Sequence, residues 1–257
     1  IEPHQNHLER GKRKLNKQGF AVFRAVAGSL QWCATQGRPE ILGNLTAVQK
    51  GLAAPTVGDL QLAAETMQYL IDNPATRVMM YPVDLKKLVI VVFCDSSFGE
   101  RPIECQMILL TDEGFLQSEP SNVSLVDWKA HKIQQAVSST LGAETQTVRS
   151  GLGQGLWARD MMFDILYREW TPRNQVKDTV YGIQVAAITD CASLWDHVHS
   201  TGKQARDERT RIPLLVIRDD LSKDAVELRW SPTDAMIADA GTKPESSLIP
   251  AVRDVMS

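Results

Sequence analysis

Two aspartates stand where apolar runs give out. Residues 88–99 read LVIVVFCDSSFG, with seven apolar residues in succession ahead of Asp95, and residues 181–190 read YGIQVAAITD, ending on Asp190. A carboxylate beside a dry core needs a cation, a hydrogen-bond donor or a metal. Taken singly, each Asp also reads as the cap of a following turn. Two more carboxylates recur in helical contexts: Glu144 in the opening turns of a segment that starts at Thr140, and Asp239 within 234–240. In an open α/β sheet, sites assemble at the C-terminal edge of neighbouring parallel strands. Two strand-edge and two helix-borne carboxylates would therefore bring four negative charges together, which is strongly unfavourable without divalent cations. Two hard cations bound through oxygen would relieve the repulsion and create a site for phosphoryl transfer.

The elements that must position these groups follow from the pattern. Leu88–Asp95 reads as a strand buried on both faces. Ile103–Leu110 alternates as a second strand, and the polar turn Thr111-Asp112-Glu113-Gly114 leads to a third around Val123–Lys129, which suggests an antiparallel edge. Thr140 to about Trp170 is the longest helix, with Leu156, Met161, Met162, Ile165 and Leu166 on a broad apolar stripe. Gly151, Gly153 and Gly155 cut against it, since each costs a helix about 1 kcal/mol relative to Ala. No Lys-Ser/Thr follows them and no strand immediately precedes them, so close packing on a sheet explains them better than a phosphate loop. After the strand ending at Asp190 come a short helix at Leu194–His199, a helix at Arg211–Leu221 interrupted by Pro213, a strand at Val226–Trp230 and a helix at Asp234–Ala240. Residues 245–257 show little pattern.

Upstream, helical spacing runs over Phe20–Ala34, Ile41–Leu52 and Val57–Ile71, the last capped by Thr56 and ended near Asn73-Pro74. Residues 74–87 read as a connector. Arg10, Lys12, Arg13, Lys14 and Lys17 cluster in the polar start, as a solvated arm or one that contacts phosphates.

At 257 residues, with 43% hydrophobic and 23% charged residues, the chain has the composition of an ordinary globular protein. No apolar run reaches the roughly 18 residues of a membrane span, so no membrane association is expected. The polar, basic start does not read as a signal peptide, and the lack of an initiator Met fits a piece of something longer. Cys33, Cys94, Cys105 and Cys191 have no C-x-x-C spacing, which points to free buried thiols in a reducing compartment, cytoplasmic or nuclear, rather than a zinc site. The net charge of −3 argues against a generic nucleic-acid binder. Its distribution is uneven: residues 1–87 carry 11 basic against 7 acidic residues, and 88–257 carry 17 against 24.

Four blocks together resemble the ribonuclease H domain of copia-type long-terminal-repeat retrotransposons: FCDSSFG at 93–99, SSTLGAET at 138–145, ITDCASLW at 188–195 and RWSPTDAMIADAGTKP at 229–244. Upstream, GSLQWCATQGRPEI at 28–41 is similar to the segment that follows the polymerase palm in those elements. The resemblance implies an α/β, ribonuclease-H-like five-stranded mixed sheet flanked by helices, preceded by a small helical subdomain. The corresponding division is a basic arm at 1–19, a helical thumb- or connection-like region at 20–87, the nuclease-like domain at 88–244 and a tail at 245–257.

The resemblance also implies that Asp95, Glu144, Asp190 and Asp239, spaced 49, 46 and 49 positions apart, are catalytic and bind two Mg²⁺ ions, with Mn²⁺ as a substitute and Asp95 bridging. The substrate would be an RNA–DNA hybrid, and the partner a reverse transcriptase polymerase domain lying N-terminal to this chain. Lys129, Lys132, Lys203, Arg206 and Arg209 are candidates for backbone contacts, and each also reads as ordinary solvated surface. The sequence departs from the pattern at Asp207-Glu208-Arg209-Thr210-Arg211-Ile212, where the family carries a segment rich in Thr, Lys and His. It has no His between Val226 and Asp239, and no Tyr-x-Asp-Asp of a polymerase palm. A non-catalytic ribonuclease-H-like scaffold is the competing reading.

Overall fold

The computed structural model describes residues 11–166, 182–200, 205–222 and 225–256. Three helices come first. α1 (Lys17–Gln36) begins earlier than the apolar spacing predicts because the Asn16 side chain accepts from the Gly19 N–H and caps it. A 3₁₀ turn at Pro39–Ile41 leads into α2 (Leu42–Lys50). α3 (Val57–Asp72) opens on a reciprocal capping box between Thr56 and Asp59, which satisfies two backbone donors that the helix leaves free.

β1 (Leu88–Ser97) and β2 (Ile103–Asp112) form a hairpin. A one-turn helix, α4 (Glu113–Leu116), capped by Asp112, stands where a plain turn was expected, before β3 (Ser124–Lys132). α5 (Thr140–Leu166), β4 (Gln184–Thr189), α6 (Ala192–His199), α7 (Glu208–Leu221), β5 (Val226–Trp230), α8 (Asp239–Thr242) and α9 (Ile249–Met256) complete the order. The expected stretch of α5 beyond Leu166, like Tyr181 ahead of β4, lies outside the described residues. The strands lie in the order β3-β2-β1-β4-β5. β1–β2 and β2–β3 run antiparallel, β1–β4 and β4–β5 parallel. This is the five-stranded mixed sheet flanked by helices that the family resemblance implies.

β1 is central, with nine of its ten residues buried, and its side chains alternate between two cores. Leu88, Ile90, Val92 and Cys94 share one core with Val148 and Leu152 of α5, Leu194 of α6 and Ile217 of α7. Val89, Val91 and Phe93 share the other with Phe23 and Leu30 of α1, Leu45 of α2 and Ala63 of α3, together with Met236, Ile237, Ala240, Val252 and Met256. The helices before the sheet thus form its second layer. On the first layer the α5 glycines allow close approach: a Cβ on Gly155 would come within 2.7 Å of Val185 and 2.8 Å of Val92, and one on Gly151 would collide with the Cys94 sulfur.

Three expectations are corrected. Pro213 does not interrupt its helix: Asp207 caps α7 three residues earlier than expected, and the buried Pro213 ring sits inside a continuous helix, which loses only one backbone donor. The segment 234–240 is not one helix. After a 3₁₀ turn at Thr233–Ala235, Met236 and Ile237 drop into the core, and the four-residue α8 starts only at Asp239. Residues 249–256 do have a pattern, the amphipathic α9, which buries Val252 and Met256 one turn apart. Its Pro250 occupies the first turn, where proline is tolerated.

Candidate metal centre

The β1–β2 hairpin carries β1 past the last residue paired to β4, Phe93, so Asp95 lies inside β1, opposite Cys105, rather than at its very end. Asp190 follows the last residue of β4. Its carbonyl accepts from Trp230 Nε1 at 3.0 Å and its Oδ2 accepts from Thr233 Oγ1 at 2.7 Å. The long α5 brings Glu144, in its first turns, over the sheet edge, where Ser96 Oγ donates to Glu144 Oε1 at 2.8 Å. Oxygens of Asp95, Glu144 and Asp190 all lie within 4.8 Å of one another.

The fourth carboxylate, Asp239, is not part of that three-residue group. Lys243 Nζ pairs with its Oδ1, and Ser246 Oγ donates to its Oδ2 at 2.6 Å. It remains a neighbour of Asp95, since its charge helps to raise the Asp95 pKa. Thr242 Oγ1, from the same short helix, donates to Asp95 Oδ2.

Burial dominates the electrostatics. It pushes the Glu144 carboxyl up to about 8, with the Asp95 charge adding and the Ser96 hydrogen bond opposing. It pushes Asp95 up to about 7 against the Thr242 hydrogen bond, with Asp239 and Asp190 adding and Lys243 opposing. Burial works against the Lys243 ammonium, but the hydrogen bond and charge of Asp239 outweigh it and raise the Lys243 pKa. Glu144 Oε2 is buried with no hydrogen-bond partner among the described residues. An all-oxygen set of clustered carboxylates, two of them held toward neutrality by burial and one with an orphaned oxygen, fits a hard divalent cation. Such an ion would supply the missing partner and offset the repulsion.

A second polar group adjoins the site across β1. Glu104, opposite Ser96 on β2, is buried, meets His131 Nδ1 at 3.3 Å and accepts from Gln106 Nε2 at 3.2 Å. Burial raises its pKa, with His131 and Lys129 opposing.

Of the expected backbone contacts, Lys129 is half-buried next to Glu104, and Lys132 is exposed at the end of β3. Arg206 is exposed just before α7 and Arg209 in its first turn. A Ser138–Asp207 hydrogen bond ties this end of α7 to the start of α5, near Glu144. Lys203 lies outside the described residues, as does Arg10 of the basic arm.

The residues that hold the carboxylates were not singled out by sequence reasoning. Three of them carry a faint signal. Ser96 adjoins Asp95, and Thr242 and Lys243 follow Asp239 at the three- and four-residue spacing of one helix face. Thr233, Ser246 and Trp230 had no comparable mark.

No protein-family model matches the chain, and no curated protein matches it. Among solved structures it is similar to a ribonuclease H1 from the halophilic archaeon Halobacterium salinarum, at 15% identity over 59% of this chain and 92% of that one, with a TM-score of 0.40. It is also similar to the N-terminal ribonuclease H domain of a Mycobacterium tuberculosis protein, at 10% identity over 60% and 94%, TM-score 0.38. A third is the foamy viral protease-reverse transcriptase in complex with an RNA/DNA hybrid, at 10% identity over 71% of this chain and 26% of that one, TM-score 0.35.

Proposed function

We propose that this chain is a divalent-metal-dependent nuclease that hydrolyses the RNA strand of RNA–DNA hybrids, acting in the reverse transcription of a copia-type retroelement. The observation that carries the reading is the convergence of the buried Asp95 and Glu144 with the half-buried Asp190, with one Glu144 oxygen unpartnered among the described residues. Mg²⁺ is the proposed ion, with Mn²⁺ as a substitute. Ions bound there would lower the pKa of a water and stabilise the departing 3′ oxygen.

The chain's own residues do the rest. Asp95 and Asp190 would hold the ions together with Glu144. Ser96 holds one Glu144 oxygen and leaves the other free for a cation or a substrate 2′-hydroxyl, the group that distinguishes RNA from DNA. Asp239 becomes available when Lys243 releases it. Residues 88–244 form the nuclease in this reading and 20–87 its thumb- or connection-like support, with a polymerase domain as the N-terminal partner. The four free cysteines support a reducing compartment. No helix among the described residues is long and apolar enough to cross a membrane.

One observation favours a second reading. Both Asp239 oxygens are engaged by Lys243 and Ser246, an arrangement that also suits a ribonuclease-H-like module that binds nucleic acid without cutting it. Cleavage of the labelled RNA strand of a hybrid in Mg²⁺ decides between them. The expected result is a loss of about a hundredfold or more in Asp95→Asn and in Glu144→Gln. A wild-type chain that binds the hybrid and cuts it no faster than Asp95→Asn would leave only the binding module.

A further inference from the structure

The basic start of the chain is not a loose arm where the structure describes it. Residues 11–37 hold Lys12, Arg13, Lys14, Lys17 and Arg24 and no Asp or Glu. Their backbone is fixed to the turn between α2 and α3: Leu15 N–H donates to Pro55 O at 3.0 Å, Val57 N–H donates to Arg13 O at 2.8 Å, and Lys14 bridges Thr56. The same turn leads back to Lys50, the last residue of α2. Lys50 O accepts from Arg101 Nη1 of the β1–β2 hairpin. Basic strip, helix end and hairpin are therefore joined by hydrogen bonds, and Lys12, Arg13, Lys14, Lys17, Lys50 and Arg101 are all exposed.

Lys50, Ser97, Phe98, Gly99, Glu100 and Arg101 line an open pocket of about 370 Å³. Glu100 is the one carboxylate among its described lining residues, and Phe98 stands 48% exposed. The nearby Asp59 is occupied as the cap partner of Thr56. Phe98 follows the last residue of β1, three positions beyond Asp95. A cationic pocket with an exposed aromatic ring just past the end of the strand that carries Asp95, continued by a strip of four cations on a chain of net negative charge, has the chemistry of a phosphodiester track.

We propose that the Lys50–Arg101 pocket and the Lys12–Lys17 strip form a second nucleic-acid site, which grips the backbone of the duplex whose cleaved strand enters the carboxylate site. The contacts are to phosphates, so the site does not read bases, and it makes the helices ahead of the sheet part of the substrate surface. The placement of the scissile strand rests on the nuclease reading; the binding itself does not.

The test is fluorescence anisotropy of a labelled hybrid of about 20 base pairs with the full chain in metal-free buffer, where nothing is cleaved, over a series of salt concentrations. Lys50→Ala combined with Arg101→Ala, and Lys12→Ala combined with Arg13→Ala and Lys14→Ala, are compared with the wild type. Arg77→Ala, in the connector, controls for net charge. Lys50→Glu serves as a further variant, because Arg101 is anchored on the Lys50 main chain and keeps that bond. Each multiple variant is expected to weaken binding about tenfold or more and to flatten the slope of log K against log salt by about 0.9 for each phosphate it no longer neutralises. DNA duplex of equal length should lose the same factor. Unchanged affinity and slope, a loss without a change of slope, or an equal loss in Arg77→Ala would each overturn the proposal. A hybrid gripped in this way yet never cleaved in Mg²⁺ would instead sink the nuclease reading and leave the second site standing.

Discussion

Asp95 and Glu144 carry the most direct consequence at the scale of single residues. Both are carboxyls whose folded pKa is raised, to about 7 and about 8. A raised carboxyl contributes stability that is fully present below its ordinary value, near 4, and is lost as pH climbs through the folded value. Without divalent ions the chain should therefore melt at progressively lower temperature between about pH 4 and about pH 8. Asp95→Asn or Glu144→Gln should flatten that decline and raise the melting temperature at pH 8, by about 2–4 °C for each kcal/mol recovered. Mg²⁺ should reverse it, with an affinity that rises over the same pH window, because the ligands must shed their protons to bind. Thermal melts at fixed pH, with and without the ion, provide the check, and a melting temperature that stays level from pH 5 to 8.5 would contradict it. Asp95 and Asp190 stood out in the sequence because a charge at the end of an apolar run is anomalous, whereas Glu144, inside a helix, stood out only beside them. Thr242 and Lys243 left only a faint mark and Ser246 none, because a hydroxyl or ammonium in or just after a short helix is ordinary until the fold turns it back onto an acid.

Among the elements, α5 shows how far sequence patterns reach. Its glycines could be read as close packing on a sheet, and Gly151 and Gly155 do face Cys94, Val92 and Val185, whereas Gly153 has open space around it. The three sites should therefore respond in opposite directions. Gly151→Ala should destabilise by about 1–3 kcal/mol through overpacking, and, two turns from Glu144, should also reduce cleavage. Gly153→Ala should stabilise by up to about 1 kcal/mol through helix propensity. Denaturant midpoints that shift in the same direction for both would refute the packing argument.

α8 was the opposite case. A helix over 234–240 was a fair reading of local spacing, but it is overridden by the burial of Met236 and Ile237 and by the seating of α2 on α8. A Cβ at Gly43 would lie 2.5 Å from Lys243 O and 2.6 Å from Ala240 O. No local pattern announces a contact between residues 43 and 243. Gly43→Ala should push α8 away from α2 and move Asp239 and Thr242 together, lowering Mg²⁺ affinity while the thermal transition stays cooperative. Unaltered ion affinity in a folded Gly43→Ala chain would count against α2 as the support of that corner.

At the scale of the whole molecule, the strands and their order follow from patterns within segments of about ten residues, which is why the mixed sheet was legible. The arrangement of its two layers depends on contacts between distant segments, and local periodicity carries no trace of those. Residues 74–87 look like a linker between a helical unit and a sheet, yet Phe23, Leu30, Leu45 and Ala63 share one core with Val89, Val91, Phe93, Met107 and Leu109 across it. Removal of residues 1–87 would leave those sheet residues covered, among the described residues, by little more than the short α4 and α8, the Met236–Ile237 segment and α9. Each large apolar side chain returned to water costs about 1.5–3 kcal/mol, and a handful of them matches the roughly 5–15 kcal/mol by which a folded domain is stable. The chain 88–257 keeps all four carboxylates, but it should be aggregated or molten and should not cleave a hybrid even in excess Mg²⁺. Circular dichroism melts and the cleavage assay on the truncated chain settle this. A cooperative melt with retained cleavage would show that these remaining elements alone can close the second face, and that the helices before residue 87 are a separable appendage.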